Sequence, residues 1–177
     1  MEKSVVRHFL YPAFNQPSVA SSLSDQFAFR PTGSITSAIV FLLHTVTQML
    51  NTSPYVIVIA TDFSKAFDTV RHITLFEKLA TLDLPDHVYN WLVNFFNGRT
   101  QCTAFHDTTS ALQAISASIV QGSAIGPTSY VVNASDLNTV RVGNVLCKYA
   151  DDTYIIIPSP NVDTRIEELD NVNNEPK

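Results

Sequence analysis

The sequence predicts an α+β fold, with a small antiparallel sheet and helices packed on one face. Three observations lead there. The run Tyr55-Val56-Ile57-Val58-Ile59-Ala60 is short, apolar and rich in β-branched residues. Two apolar arms, Val145-Leu146-Cys147 and Tyr154-Ile155-Ile156-Ile157, flank the polar centre Lys148 to Asp152. Between these runs lie segments whose apolar residues recur at helical spacing.

Taken in order, residues 11–26 hold Pro12, Pro17 and a cluster of serines and read as a loop. Ser34 is a candidate cap for a helix to about Leu50, with Ile35, Ile39, Leu42, Leu43, Val46 and Leu50 on its apolar face. Asn51-Thr52-Ser53-Pro54 breaks the chain, and the run from Tyr55 suits a central strand buried on both faces. A helix follows from about Ile73 to Ala80. Another starts near Pro85, with Val88, Trp91, Leu92, Phe95 and Phe96 on one stripe and Gly98 as its stop. That spacing makes Trp91, Phe95 and Phe96 core rather than a base-stacking platform. Residues 99–118 read as two strands around a turn near His106-Asp107, and Gly126-Pro127 opens a helix toward Leu137. The two apolar arms then form a β-hairpin with Asp151 and Asp152 at its tip. The tail starts as a helix at Ile166 and Leu169 and ends in a polar run, Asn171 to Lys177, that reads as truncated or frayed.

The 177 residues suffice for one core, and 45% apolar with 15% charged residues is a globular composition. Two cysteines support neither a disulfide framework nor a zinc site, which makes a reducing compartment the expectation. No apolar run approaches the ~20 residues of a membrane span, and the first residues lack a signal peptide's pattern. The net charge of −5 weighs against a free-standing nucleic-acid binder, whose surface is normally basic.

Asp62 directly follows an apolar strand, and Asp151-Asp152 interrupts a second apolar segment. Ionised carboxylates beside apolar strands are costly unless a cation or donors compensate. A hard divalent cation resolves the conflict, because magnesium takes a few carboxylates and completes its shell with water and phosphates. Two such ions ~4 Å apart can serve in-line phosphoryl displacement. Alone, an Asp-Asp at a turn is turn chemistry and Asp62 is a helix cap.

Four blocks shift that balance: Asp25-Gln26-Phe27-Ala28-Phe29-Arg30-Pro31, Asp62-Phe63-Ser64-Lys65-Ala66-Phe67-Asp68, Gln121-Gly122-Ser123-Ala124-Ile125-Gly126-Pro127 and Tyr149-Ala150-Asp151-Asp152. In this order they make the chain resemble the reverse transcriptases of non-LTR (LINE-type) retrotransposons, from about residue 1 to about residue 160. The resemblance implies a polymerase palm at 55–160, partial fingers at 1–54 and a truncated tail at 161–177, with thumb and endonuclease regions of a parent polyprotein missing. It implies that Asp62, Asp151 and Asp152 are the catalytic acids and hold two magnesium ions, with manganese as the alternative metal. Arg30, Phe63, Phe67, Gln121 and Gly122 become the nucleotide-binding set: Arg30 on the triphosphate, Phe67 under the incoming sugar, Gln121-Gly122 beside the nucleotide and template base. Gly122 would permit close backbone approach, and Asp68 would serve the start of the next helix. The implied partners are an RNA template, a DNA primer and a dNTP, with no membrane. The implied location is the nucleus. Ala117-Ser118 stand where the family carries Arg-Gly, which removes one contact to template or nucleotide. The competing readings are a palm without catalysis, a nucleic-acid-binding remnant, and a different metal-dependent phosphoryl-transfer enzyme such as a nuclease.

Overall fold

The computed structural model describes residues 1–120 and 122–173. The N-terminal stretch predicted as a loop instead contains short helical turns at Tyr11–Phe14 and Pro17–Ala20. Pro12 and Pro17 fall in their first turns, where a missing N–H removes no helical hydrogen bond. A long helix, α1 (Ile35–Leu50), follows, and the Ser34 hydroxyl accepts the Ser37 N–H at 3.0 Å as its cap. Strand β1 is Val56–Thr61, α2 is His72–Ala80 and α3 is Asp86–Phe96. Two short ladders, Thr100–Gln101 on Gln113–Ala114 and Ala104–Phe105 on Thr108–Thr109, form the hairpin around His106-Asp107. Helix α4 (Ile125–Asn133) leads to β2 (Val145–Tyr149), β3 (Asp152–Pro158) and a final helix, α5 (Arg165–Asn173). The end predicted to fray is helical as far as Asn173, with Val172 buried; residues 174–177 lie outside the described residues.

The sheet is antiparallel with order β1-β3-β2, so β3 is its central strand. The central position predicted for residues 55–60 is a correction: β1 lies at an edge, with Val58 41% exposed, whereas Ile155, Ile156 and Ile157 are each 0% exposed. Both runs are β-branched and apolar, and only long-range pairing separates a centre from an edge. Register runs from Val56 opposite Pro158 to Thr61 opposite Thr153, and from Val145 opposite Ile156 to Tyr149 opposite Asp152.

The α+β class holds, but helices cover both faces of the sheet rather than one. On one face α1 brings Ala38, Phe41, Leu42 and Val46 onto Cys147 and Ile156. On the other, Leu137 and the α5 residues Leu169 and Val172 meet Leu146, Ile155 and Ile157. The stripe Ile35, Ile39 and Leu43, predicted to face the core, is more than half exposed; α1 packs through the neighbouring stripe. The largest core lies beside the sheet. It joins Leu10, Phe14 and Leu23 to Leu75, Leu79, Leu92, Phe96 and Val131, so buried contacts cross from the first fifty residues into the rest of the chain. Phe96 is 0% exposed, and burying a ring of that size stabilises by about 2–3 kcal/mol. Trp91 and Phe95 pack against the same core, as their spacing predicted.

Candidate active site

The sheet register carries the acids to one place. Thr61, the last residue of β1, pairs with Thr153, and its hydroxyl donates to the Thr153 carbonyl at 3.1 Å. Asp62 follows at once. On the far side of β3, the hairpin closes through Ala150 and Asp151 between the paired residues Tyr149 and Asp152. The backbones of Asp62, Asp151 and Asp152 therefore share one end of the sheet, although 62 and 151 are far apart in sequence.

Asp62 and Asp152 are exposed and Asp151 is half-buried. Among the described residues, no ion pair engages any of the three carboxylates. Asp152 faces the groove between α1 and the sheet, beside Ile35, Leu42, Tyr149 and Tyr154. Among the described residues no group of three or more His, Cys, Asp or Glu stands close enough to hold a metal by itself. The donor chemistry suits magnesium, which draws on one or two carboxylates and completes its shell with water and phosphate oxygens; a closed protein cage is not formed.

The residues predicted to bind nucleotide divide. Phe67 stacks on Tyr130, with ring centroids 4.5 Å apart at 25°, and meets Phe29 edge-on at 6.3 Å. Phe67, Phe29, Gly122, Gly126 and Pro127 line one open groove of about 380 Å³, within the size range of small-molecule sites. Gly122 has φ +82°, and a Cβ there would meet nothing within 4 Å. That φ is one glycine adopts without strain, and no protein atom crowds the position. The tightly packed glycine is Gly126, where a Cβ would lie 2.8 Å from Ile119 Cγ2. Phe63 is half-buried and packs against both the main core and the sheet cluster. The Arg30 guanidinium donates to the carbonyls of Leu23 and Gln26, the latter at 3.2 Å, and does not line the groove. Burial lowers its pKa, and Asp25 opposes that shift. Helix α2 starts at His72 with Arg71 at its N-cap, and Asp68 lies three residues before that cap. Gln121 lies outside the described residues.

Two residues escaped the sequence reading. Gln26 is 2% exposed and Lys148 is 1% exposed. The segment around Gln26 runs alongside β2: the Lys148 N–H donates to the Asp25 carbonyl at 2.7 Å, and the Phe27 N–H donates to the Lys148 carbonyl at 2.8 Å. The Lys148 ammonium donates to the carbonyls of Ala134 and Leu137, each at 3.1 Å, and lies 3.1 Å from Asp25 Oδ1. That last contact is an ion pair off the hydrogen-bond axis, since Oδ1 has no aligned donor. Burial raises the Asp25 pKa, and the nearby Lys148 charge only partly opposes it. One signal was available in the sequence: a lone cation in the apolar strand Val145-Leu146-Cys147-Lys148-Tyr149 needs a buried partner.

A carboxylate at the end of an edge strand, beside a carboxylate-tipped hairpin on a helix-covered antiparallel sheet, defines a class: the palm of a template-directed polymerase. Residues 9–175 match the family described as reverse transcriptase (RNA-dependent DNA polymerase), and the chain belongs to that family. The RNA-directed DNA polymerase from mobile element jockey of Drosophila melanogaster is 30% identical over 144 residues, covering 77% of this chain and 16% of that protein. The probable RNA-directed DNA polymerase from transposon X-element of the same organism is 31% identical over 98 residues, covering 53% of this chain and 11% of that protein. The chain thus spans only a small part of these relatives. Among solved structures, telomerase from Candida tropicalis truncated from its C-terminal domain superposes with TM-score 0.71 at 13% identity, over 98% of this chain and 36% of that one. The same telomerase with a telomeric RNA fragment gives 0.69 at 10% identity, over 90% of this chain and 29% of that one. At these identities the likeness is one of fold.

Proposed function

We propose that this chain supplies the palm of an RNA-directed DNA polymerase, adding dNTPs to a primer 3′-hydroxyl along an RNA template. The observation that carries the reading is the register that brings Asp62 and the Asp151 turn to one sheet end, with all three carboxylates free of ion pairs among the described residues. Asp62, Asp151 and Asp152 would hold magnesium, which when bound supplies charge neutralisation at the reacting phosphate. Asp152 opens strand β3 and Asp62 directly follows β1, so little ordering is left for the moment of binding. The groove of Phe67 and Gly122 receives the nucleotide, and the Phe67 ring, braced on Tyr130, would exclude a sugar 2′-hydroxyl. Such a polymerase would work at a chromosomal target, and a tagged chain should then concentrate in the nucleus.

The test is primer extension by a polymerase carrying this palm. Loss of extension in Asp151→Ala supports the reading; extension at the wild-type rate refutes it. A second reading, a palm that keeps the fold without catalysis, draws on Ala117-Ser118 and on the open arrangement of the carboxylates. It requires that the wild-type chain itself support no extension.

A further inference from the structure

The turn that carries Asp151 is strained where it begins. Ala150 has φ +58°, a left-handed conformation that costs an L-residue with a Cβ roughly 1 kcal/mol. A turn of this kind persists only where its surroundings hold it, and here one side chain does so. The Ala150 N–H donates to Gln26 Oε1 at 3.0 Å, and Gln26 Nε2 lies 3.4 Å from the Ala150 carbonyl as a longer donor. The same Oε1 accepts the Ala28 N–H at 3.0 Å. Two N–H groups converging on one atom fix the amide's orientation, because the flipped amide would set donors against donors. Main-chain bonds on both sides of Gln26, from Lys148 to Asp25 and from Phe27 to Lys148, leave the side chain little freedom to leave its post.

We infer that Gln26 is a positioning residue for the polymerase: it holds Ala150 in the left-handed conformation and so aims Asp151 for metal. This rests on the polymerase reading above. Asparagine would be one methylene too short to reach. Glutamate keeps the acceptor for both N–H groups but sets an oxygen against the Ala150 carbonyl where the longer contact was. The residue touches neither substrate nor metal and acts through the turn.

The test is amide hydrogen exchange at Ala150, read beside Mn²⁺ binding, in the 177-residue chain. In the wild type the Ala150 amide should exchange slowly although the turn is half-exposed; exchange at the rate of an open amide overturns the proposal whether or not any variant folds. In Gln26→Met, Ala150 exchange should rise about tenfold or more while Ile155 and Ile156 stay protected, and Mn²⁺ affinity should fall about tenfold. Gln26→Glu should keep Ala150 protected. Adding Ala150→Gly to Gln26→Met should recover part of the lost affinity, since glycine enters the left-handed region without strain. A purely structural role for Gln26 predicts no such recovery, and its absence counts against the proposal, as does unchanged Ala150 exchange in a folded Gln26→Met. Asp62→Asn reports on the polymerase reading separately. If it leaves Mn²⁺ affinity unaltered, that reading fails while the Ala150 exchange result still stands or falls by itself.

Discussion

The two ends of strand β2 use carboxylates in opposite ways. Before the strand begins, Glu168 from α5 is 0% exposed and both its oxygens hold donors. It accepts from the Val140 N–H at 3.0 Å, the Arg141 N–H at 2.9 Å and the Asn144 side chain at 2.7 Å. Where the strand ends, Asp151 and Asp152 have no such set of donors among the described residues, and neither forms an ion pair with them. A buried carboxylate saturated with donors is part of the fold, whereas one left open at a sheet end is available to a ligand. The difference separates stability from chemistry within five strand residues.

Substitutions should therefore act in opposite senses at the two ends. The largest effect is expected from Asp151→Asn in a polymerase carrying this palm: primer extension should fall by about a thousandfold or more, with chemical-denaturation stability unchanged within about 0.5 kcal/mol. Equal losses in extension and stability would erase the contrast. Glu168→Ala should instead cost about 3 kcal/mol, because the buried Asn144 amide and two part-buried backbone N–H groups lose their acceptor. Urea unfolding reads it, and a near-neutral result would mean the donors find water.

Between the ends sits the buried Lys148–Asp25 pair. Lys148→Met should cost about 3 kcal/mol by leaving Asp25 buried without its partner, and adding Asp25→Asn should restore most of that loss. A double variant no more stable than the single would show that Lys148 matters for its carbonyl contacts rather than its charge. The smallest effect concerns the thiols. Burial pushes Cys147 up to about 11, whereas Cys102 is exposed. A folded-state pKa above the unfolded value adds stability below pH 9 that fades as pH rises toward 11, so only alkaline solutions should show it. At pH 8 an alkylating reagent should modify Cys102 about a hundredfold faster than Cys147.

What the sequence made legible was local. The Ser34 cap, the breaks at Pro54 and Gly98, the hairpin at Asp151 and the strand preceding Asp62 each depend on neighbouring residues. Strand order was not legible, because Val56–Thr61 and Asp152–Pro158 carry the same kind of apolar residues and only pairing makes one central. The face that α1 buries was read in part: Leu42 and Val46 were placed on it and do pack on the sheet, but Ile35, Ile39 and Leu43 satisfy helical spacing as well as Ala38 does, and the sheet chooses between them. Gln26 and Ala150 lie 124 positions apart, so no window on the sequence could connect them. Arg30 was assigned to phosphate by its place in a block, and its bonds to the Leu23 and Gln26 carbonyls could not be read from that block.

Divalent-metal titration of the chain, with Asp62→Asn and Asp151→Asn alongside, bears most directly on whether the open carboxylates form a metal site. Mn²⁺ should bind the wild type and weaken by about tenfold or more in each variant, with secondary structure unaltered. Equal Mn²⁺ affinity in the wild type and both variants would show that the acids share a sheet end without sharing an ion.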